Sequence, residues 1–362
     1  MNKAYKFRIY PNEEQRILFG KTFGCTRFIY NKMLGDKIKY YEETKQNLKN
    51  TPAQYKMEFE WLKEVDSLAL ANAQLNLQTA YDNFFRDKKV GFPKFKAKYH
   101  NRDSYTTNLV NGNILLEDGH LKLPKIGQVK IKQHRQIPKD YDLKAVTVSK
   151  TPTDKYYASI LFDYEEQIEL VKPENIVGLD FSMKELFVSS DEEFANYPRY
   201  YRRALEKLAK AQRKLSHCQK GSENRNKQRI KVAKLHEKVA NQRKDFLHKI
   251  SRQIANAYDV VCIEDLNMKG MAQALNFGKS VSDNAFGMFS TFLKYKLEDQ
   301  GKQLIKVDKW FPSSKTCSKC GSVKKELLLS ERIFECVCGN ILDRDINAAL
   351  NIKNEGTRLI FA

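Results

Sequence analysis

Glu335 to Ala349 reads "ECVCGNILDRDINAA". A cysteine pair, Cys336 and Cys338, is followed within seven residues by two aspartates, Asp343 and Asp345. Thiolates favour soft metals such as zinc, and carboxylates favour hard ones such as magnesium. Two kinds of metal chemistry therefore abut in one short stretch. A second pair in "CSKCG" (317–321) lies fifteen residues before "CVCGN" (336–340), giving C-x₂-C…C-x-C. Four thiolates can close a tetrahedral zinc shell, and turns at Gly321 and Gly339 would aim backbone N–H groups at the sulfurs. Such a shell leaves no open position for water. Cys317, Cys320, Cys336 and Cys338 are thus expected to hold one structural Zn²⁺, contributing on the order of 10 kcal/mol to folding a segment with little apolar core. The bland alternative is four free thiols. The C-x-C pair is tighter than the usual C-x₂-C and would place one ligand on a strained turn. Cys25 and Cys262 sit in apolar stretches and read as buried small hydrophobes. Cys218 lies beside His217 in a basic loop.

Three acidic positions stand out by context. Asp180 interrupts the apolar strand "IVGLDF", Glu264 closes "VVCIE", and Asp343 and Asp345 open the helical "DRDINAALNI". A buried carboxylate costs several kcal/mol unless something pairs with it. Divalent cations would pair several at once. Two of them about 3.5–4 Å apart stabilise the attacking and leaving oxygens of a phosphodiester displacement. Each acid also has a structural alternative. Asp180 could end a strand at a turn, and Asp265 beside Glu264 could be solvated. Asp343 and Asp345 both stand where a helix N-cap belongs, and the residues alone do not choose between them.

The 362 residues carry 64 Lys+Arg against 44 Asp+Glu, a net charge of +20. That imbalance points to a polyanionic partner, foremost nucleic acid, over a merely soluble basic protein. Residues 199–252 hold 18 Lys/Arg and 4 Asp/Glu, so this stretch supplies +14 of the +20. Met1 is followed by a strand-like "KAYKFRIY", so no secretory signal is expected. No apolar run approaches the roughly 18 residues of a membrane helix, so no membrane partner is expected. The seven cysteines are odd in number and clustered, unlike a disulfide framework, and the chain reads as cytoplasmic and reduced.

The period of the pattern divides the chain. "KAYKFRIY" alternates like a half-buried strand, and Pro11-Asn12 starts a helical region that runs to about residue 98. "GFPKFKAKYHNR" (91–102) closes it as a basic, aromatic loop. From about 103 to 165 the period is two, with turns at Asp118-Gly119 and "TPTDK", giving a small β-barrel or sandwich that takes in the first strand. "NIVGLDFSMKELFVSS" (175–190) reads as two strands. Val232, Leu235, Val239, Phe246, Ile250 and Ile254 mark one buried stripe on a basic helical hairpin with its loop at "HCQKGSENRNK" (217–227). "DVVCIEDL" (259–266) reads as a buried parallel strand, helix follows to about Glu298, and "KQLIKVDKW" (302–310) is another strand.

In this order, "YKFRIYPNEEQ", "FGCTRFIYNKML", "GFPKFKAK", "VGLDFSMKELFVSS", "VCIEDLNMKGM", "SVSDNAFGMFSTFLKYK", "KWFPSSKTCSKCG" and "CGNILDRDINAALNI" make the chain resemble the TnpB family, transposon-encoded RNA-guided DNA endonucleases related to type V CRISPR effectors. The resemblance spans nearly the whole chain. It departs from the family pattern at Phe181-Ser182, where relatives often have a glycine, and at the C-x-C pair. It implies a multidomain α+β protein: an N-terminal β-barrel (wedge, 1–10 and 100–168) with a helical recognition insertion (11–99), then an RNase H-like (RuvC) α/β nuclease domain (169–312 and 341–362) with a zinc-ribbon insertion (313–340). It implies Asp180, Glu264 and Asp345 as the catalytic acids holding two Mg²⁺ ions, which selects Asp345 and leaves Asp343 as cap. It implies a guide RNA from the transposon end and a double-stranded DNA target beside a short transposon-adjacent motif. A transposase partner encoded nearby and a bacterial or archaeal, nucleoid-associated setting belong to the same expectation.

On that reading guide pairing reads the target, and the protein holds the RNA–DNA heteroduplex through backbone charge and A-form shape. A water then attacks phosphorus at the acidic site, leaving a 5′-phosphate and a 3′-hydroxyl. Family members that lost the acids act as RNA-guided repressors, whereas all three acids stand here. The alternatives are a regulator of transposition that binds without cleaving, and a strand-joining transposase, since fold alone does not separate these chemistries.

Overall fold

The computed structural model describes residues 1–362 except 88, 99–101, 166, 275–277 and 329. The chain forms two compact units, Met1–Glu166 and Gln167–Ala362. In the first, alternation in "NKAYKFRIY" makes β1 (Asn2–Tyr10), which buries Phe7 and Ile9. It joins β2 (Asp103–Asn108), β3 (Leu115–Glu117), β4 (His120–Leu123), β5 (Gly127–Lys132), β6 (Asp142–Lys150) and β7 (Tyr156–Asp163) in one antiparallel sheet. The strand order is β2-β6-β7-β1-β5-β4-β3. Three helices accompany it: α1 (Glu13–Thr44), α2 (Pro52–Glu58) and α3 (Ser67–Arg86). Asn12 and Gln15 start α1 with a reciprocal capping box, Gln15 N donating to Asn12 Oδ1 at 2.8 Å and Asn12 N to Gln15 Oε1 at 3.1 Å.

The expected barrel is an open sheet here. Among the described residues no pairing joins the edge strands β2 and β3. β3 has three residues, too few to seal a seam, and the apolar face is covered by a helix. The first half of α1 lays Phe19 and Phe23 on that face, and its second half packs Ile29, Met33 and Leu34 against Leu62, Leu70 and Leu77. Helix also stops earlier than expected, at Arg86. Gly91 and Pro93 disfavour helix beyond it. The loop folds back instead, with Phe92 edge-on to Tyr81 and Phe84, and Lys96 Nζ 3.8 Å from the Tyr30 ring centre. Part of the 91–102 stretch, residues 99–101, lies outside the described residues.

In the second unit, β8 (Ile176–Ser182), β9 (Leu186–Ser189), β10 (Val260–Glu264) and β11 (Gln303–Val307) form a sheet of order β11-β10-β8-β9. β8, β10 and β11 are parallel, and β9 returns from β8 as a hairpin. Between β9 and β10 run α4 (Tyr200–Ser216) and α5 (Glu223–Ala257). Between β10 and β11 run α6 (Met268–Ala274), α7 (Gly278–Asn284) and α8 (Phe286–Glu298). A short hairpin, β12 (Ile333–Glu335) with β13 (Ile341–Asp343), leads into α9 (Arg344–Phe361). The α4–α5 loop is 217–222, shorter than read from sequence, because Ser222 caps α5 by accepting from Arg225 N at 3.2 Å. The buried stripe of α5 is centred on Val239, Leu247, Ser251 and Ile254.

Strand alternation sorts side chains to the two faces of this sheet. Val177, Leu179, Val261 and Ile263 pack with Leu247, Ile254, Phe289 and Leu293 of α5 and α8. Val260, Cys262 and Val307 pack with Ile352 of α9 on the other face. α9 crosses β8 so closely that a Cβ on Gly178 would overlap the Ala349 carbonyl oxygen and stand 2.6 Å from Lys353 N. By the same period of two, Asp180 and Glu264 belong to the face that α9 covers.

Candidate active site and metal centre

Register brings two of the acids side by side. Leu179 pairs with Ile263 in the parallel β8–β10 ladder, so Asp180 and Glu264 follow at adjacent carboxyl ends. Asp345 arrives from above, in the first turn of α9. Asp180 senses the other two. Burial pushes the Asp180 carboxyl well above the usual carboxylate range, and the nearby Glu264 and Asp345 push it further, against opposing help from Arg344. Glu264 is also raised by burial, offset by the hydroxyl of Ser313, which donates to Glu264 Oε1. Asp180 is 9% exposed. Burying that much like charge together is unfavourable unless a cation shares the site.

The two aspartates before and within α9 have different duties. Asp343 is the N-cap, its Oδ1 accepting from Asp345 N at 2.8 Å and Ile346 N at 3.3 Å. Asp345 keeps its carboxylate free of that task and lies 3.4 Å from Arg344 Nη2. Asp265 points elsewhere, 2.6 Å from Lys306 Nζ and exposed.

Among the described residues, Cys317, Cys320, Cys336 and Cys338 form the group of donor atoms that all lie within 4.8 Å of one another. Cys317 and Cys338 sulfurs are 3.7 Å apart, and Cys320 and Cys336 sulfurs 3.6 Å. A tetrahedron of thiolates at Zn–S of about 2.3 Å has edges of about 3.8 Å. The arrangement therefore fits zinc. Hydrogen bonds from Ser322 lower the Cys320 thiol, and the Cys338 backbone with Ser322 lowers that of Cys336, both toward the thiolate that a metal needs. Each pair sits on a tight knuckle. Gly321 N donates to Cys317 O, and Gly339 N to Cys336 O, both at 2.9 Å. The strain expected of the C-x-C turn falls on Gly339, whose φ of 81° costs a glycine little.

Two side chains that sequence reading passed over tie the cysteines to the acids. Asn351, buried on α9, donates to Ser313 O at 2.8 Å and Thr316 O at 2.6 Å. Asn347, one turn earlier, donates to Thr316 O at 2.7 Å and accepts from Ser318 N at 3.0 Å. The 313–318 segment thus runs from the Glu264 contact to Cys317, the first thiol of the cluster, while pinned along α9. Its signal in the sequence was two asparagines four apart on the apolar side of an amphipathic helix.

No helix among the described residues is long and apolar enough to cross a membrane. A family model described as "Probable transposase" matches residues 159–275, one described as "Cas12f1-like, TNB domain" matches 286–352, and a "Helix-turn-helix domain" matches 1–46. The last of these folds here as β1 and α1. A chain of the "Cryo-EM structure of the Cas12f1-sgRNA-target DNA complex" superposes with a TM-score of 0.60, covering 98% of this chain and 99% of that one at 14% identity, a likeness of fold alone. The "Putative RNA-guided DNA endonuclease InsQ" of Escherichia coli is 30% identical over 98% of this chain and 92% of its own length. The "Putative RNA-guided DNA endonuclease" of Streptomyces pristinaespiralis is 35% identical over 98% of this chain and 90% of its own length. With that identity sustained from end to end, the chain belongs to the TnpB family.

Proposed function

We propose that the protein is an RNA-guided DNA endonuclease whose nuclease centre is Asp180, Glu264 and Asp345. The observation that carries the reading is the buried Asp180 carboxyl, held beside Glu264 and Asp345 at the carboxyl ends of β8 and β10. Two Mg²⁺ ions bound there would supply charge for the attacking and leaving oxygens of a phosphodiester. The chain's own part is to present the three carboxylates from three elements, with Arg344 and Ser313 opposing the effect of burial on Asp180 and Glu264. Strand order and the placement of α9 support an RNase H-like (RuvC) unit over 169–312 and 341–362, with the cysteine insertion 313–340 holding one Zn²⁺ away from the reacting phosphate. Residues 1–10 and 100–168 would be the wedge and 11–99 the recognition helices.

The names of the relatives and the net charge of +20 support guide RNA and target DNA as partners, with α4 and α5 as part of the phosphate-tracking surface. A short adjacent motif read directly, a transposase encoded nearby, and a bacterial or archaeal cytoplasm complete the reading. The test is to purify the chain with co-expressed flanking RNA and add a matched DNA duplex with Mg²⁺. Cleavage that disappears in Asp180→Ala while binding persists is the expected result. Binding without cleavage by the parent chain would make it a regulator instead, and strand transfer to a second DNA would make it a transposase.

A further inference from the structure

The β8–β9 turn forms one wall of a cavity of about 200 Å³ that the acidic site does not use. Its other walls are the start of α4 and the end of α7. Three cations line it: Lys184 from the turn, Arg199 at the N-cap of α4, and Arg202 in the first turn of α4. One acid lines it, Asp283, and that carboxylate is already engaged. It is buried and takes the place of the missing helix cap, accepting from Tyr201 N at 3.0 Å and Arg202 N at 3.4 Å. Lys184 is itself exposed and lies 3.7 Å from the partly buried Glu185, which offsets part of its charge. Arg202 is steadied by donating to Ser280 Oγ at 2.8 Å. The balance is a concave, partly preformed site with surplus positive charge.

Its position gives it meaning. Asn284 Nδ2 donates to Ser182 O at 3.5 Å, which fastens the cavity wall to the end of β8. Ser182 lies two strand residues, about 7 Å, past Asp180. Lys184 follows in the turn that continues the strand, four residues past Asp180, so the cluster is placed to meet a backbone phosphate neighbouring the one at the acids. Phosphate contacts set the register of a nucleic-acid strand without reading its sequence.

We propose that Lys184, Arg199 and Arg202 form a subsite for a backbone phosphate of single-stranded DNA, flanking the phosphate held at Asp180, Glu264 and Asp345. The subsite rests on the nuclease reading for the role of the bound strand, but its existence is tested separately. The first measurement follows acetylation of each lysine of the full chain by a soluble reactive ester, with and without saturating mixed-sequence single-stranded DNA and without divalent metal. Lys184 should be protected several-fold. Modification at an unchanged rate overturns the proposal. The second compares the parent with Lys184→Ala/Arg202→Ala, with thermal melting to verify folding. Single-strand affinity should fall about tenfold, and the slope of log affinity against log salt should drop by about 0.7, the value for one lost phosphate contact. Lys184→Arg/Arg202→Lys should restore the slope. An unchanged slope in the alanine pair overturns the subsite. Neither measurement involves cleavage, so their failure leaves the nuclease reading standing, and a chain that binds strands here but never cuts fails that reading alone.

Discussion

The hydroxyl of Ser313 donates to the carboxylate of Glu264, joining the loop that enters the cysteine cluster to the end of strand β10. This contact opposes the effect of burial on Glu264. Removing it in Ser313→Ala raises the carboxyl further, so a smaller fraction is ionised at any given pH. The acidic limb of the pH–rate profile for DNA cleavage should move to higher pH, with the alkaline limb in place. Profiles of parent and variant at saturating Mg²⁺ check this; coincident acidic limbs would assign Ser313 no part in ionising Glu264.

Asn351 carries the same connection one step further. Its amide serves two carbonyls, the buried one of Ser313 and the partly buried one of Thr316. Asn351→Ala leaves the Ser313 carbonyl unpaired, at a cost of about 1–3 kcal/mol, while Thr316 O keeps its bond from Asn347, and it loosens the segment that presents Cys317. Zinc should leave the variant faster than the parent in excess chelator, read by a colorimetric metal indicator. Equal release rates would show that the cysteines are held independently of α9. The parent itself should contain close to one zinc per chain.

The ionised form of Asp180 is disfavoured by burial and by its neighbours Glu264 and Asp345. Its carboxyl is raised in the folded chain, so the folded state binds a proton more readily than the unfolded one. The sign follows: the stability from the protonated form is complete below the unfolded value near 3.8 and is lost as pH climbs through the raised folded value. At neutral pH without divalent metal, the charge is a net cost. Asp180→Asn should then melt higher than the parent, by about 3–6 °C for a unit of this size, and Mg²⁺ should narrow the gap by stabilising the parent alone. A variant that melts below the parent in chelator would contradict the buried-charge account.

What was legible in the sequence follows from range. The knuckles depend on spacing over a few residues, so C-x₂-C and C-x-C could be read directly. The β8 and β10 runs were legible because a strand buried on both faces is apolar nearly throughout. Ser313, Asn347, Asn351 and Asp283 were not, since each acts on a partner far along the chain, as Asp283 does in capping α4 from 82 residues away. Period and propensity carry no information on such pairs. The acids were visible as charges in apolar strands, but Asp345 was separated from Asp343 by resemblance, and in the fold by which of them caps α9.

Gly178 tests the packing that delivers Asp345. A methyl there meets backbone, the Ala349 carbonyl and the Lys353 amide, and backbone in a helix cannot swing aside. Gly178→Ala should destabilise by about 3 kcal/mol and lift α9 from β8. Cleavage should fall more than the folded fraction does, because Asp345 rides on the helix. Denaturant melts and cleavage rates on the same preparation separate the two effects; loss of activity in proportion to unfolding alone would mean α9 keeps its place.

Asp343 and Asp345 should part company in paired variants. Asp343→Ala removes the cap of α9, costing about 1 kcal/mol in stability, and leaves the three acids of the site in place. It should cleave DNA at a reduced but measurable rate. Asp345→Ala keeps both cap bonds, since they use the backbone N–H of residue 345 and of Ile346. It should melt at or above the parent in chelator, because one of the charges that raises Asp180 is gone, and should not cleave. Measuring melting in chelator and cleavage in Mg²⁺ gives each variant two coordinates. An inactive Asp343→Ala beside an active Asp345→Ala would exchange their roles. An active pair would move the third carboxylate to another residue altogether.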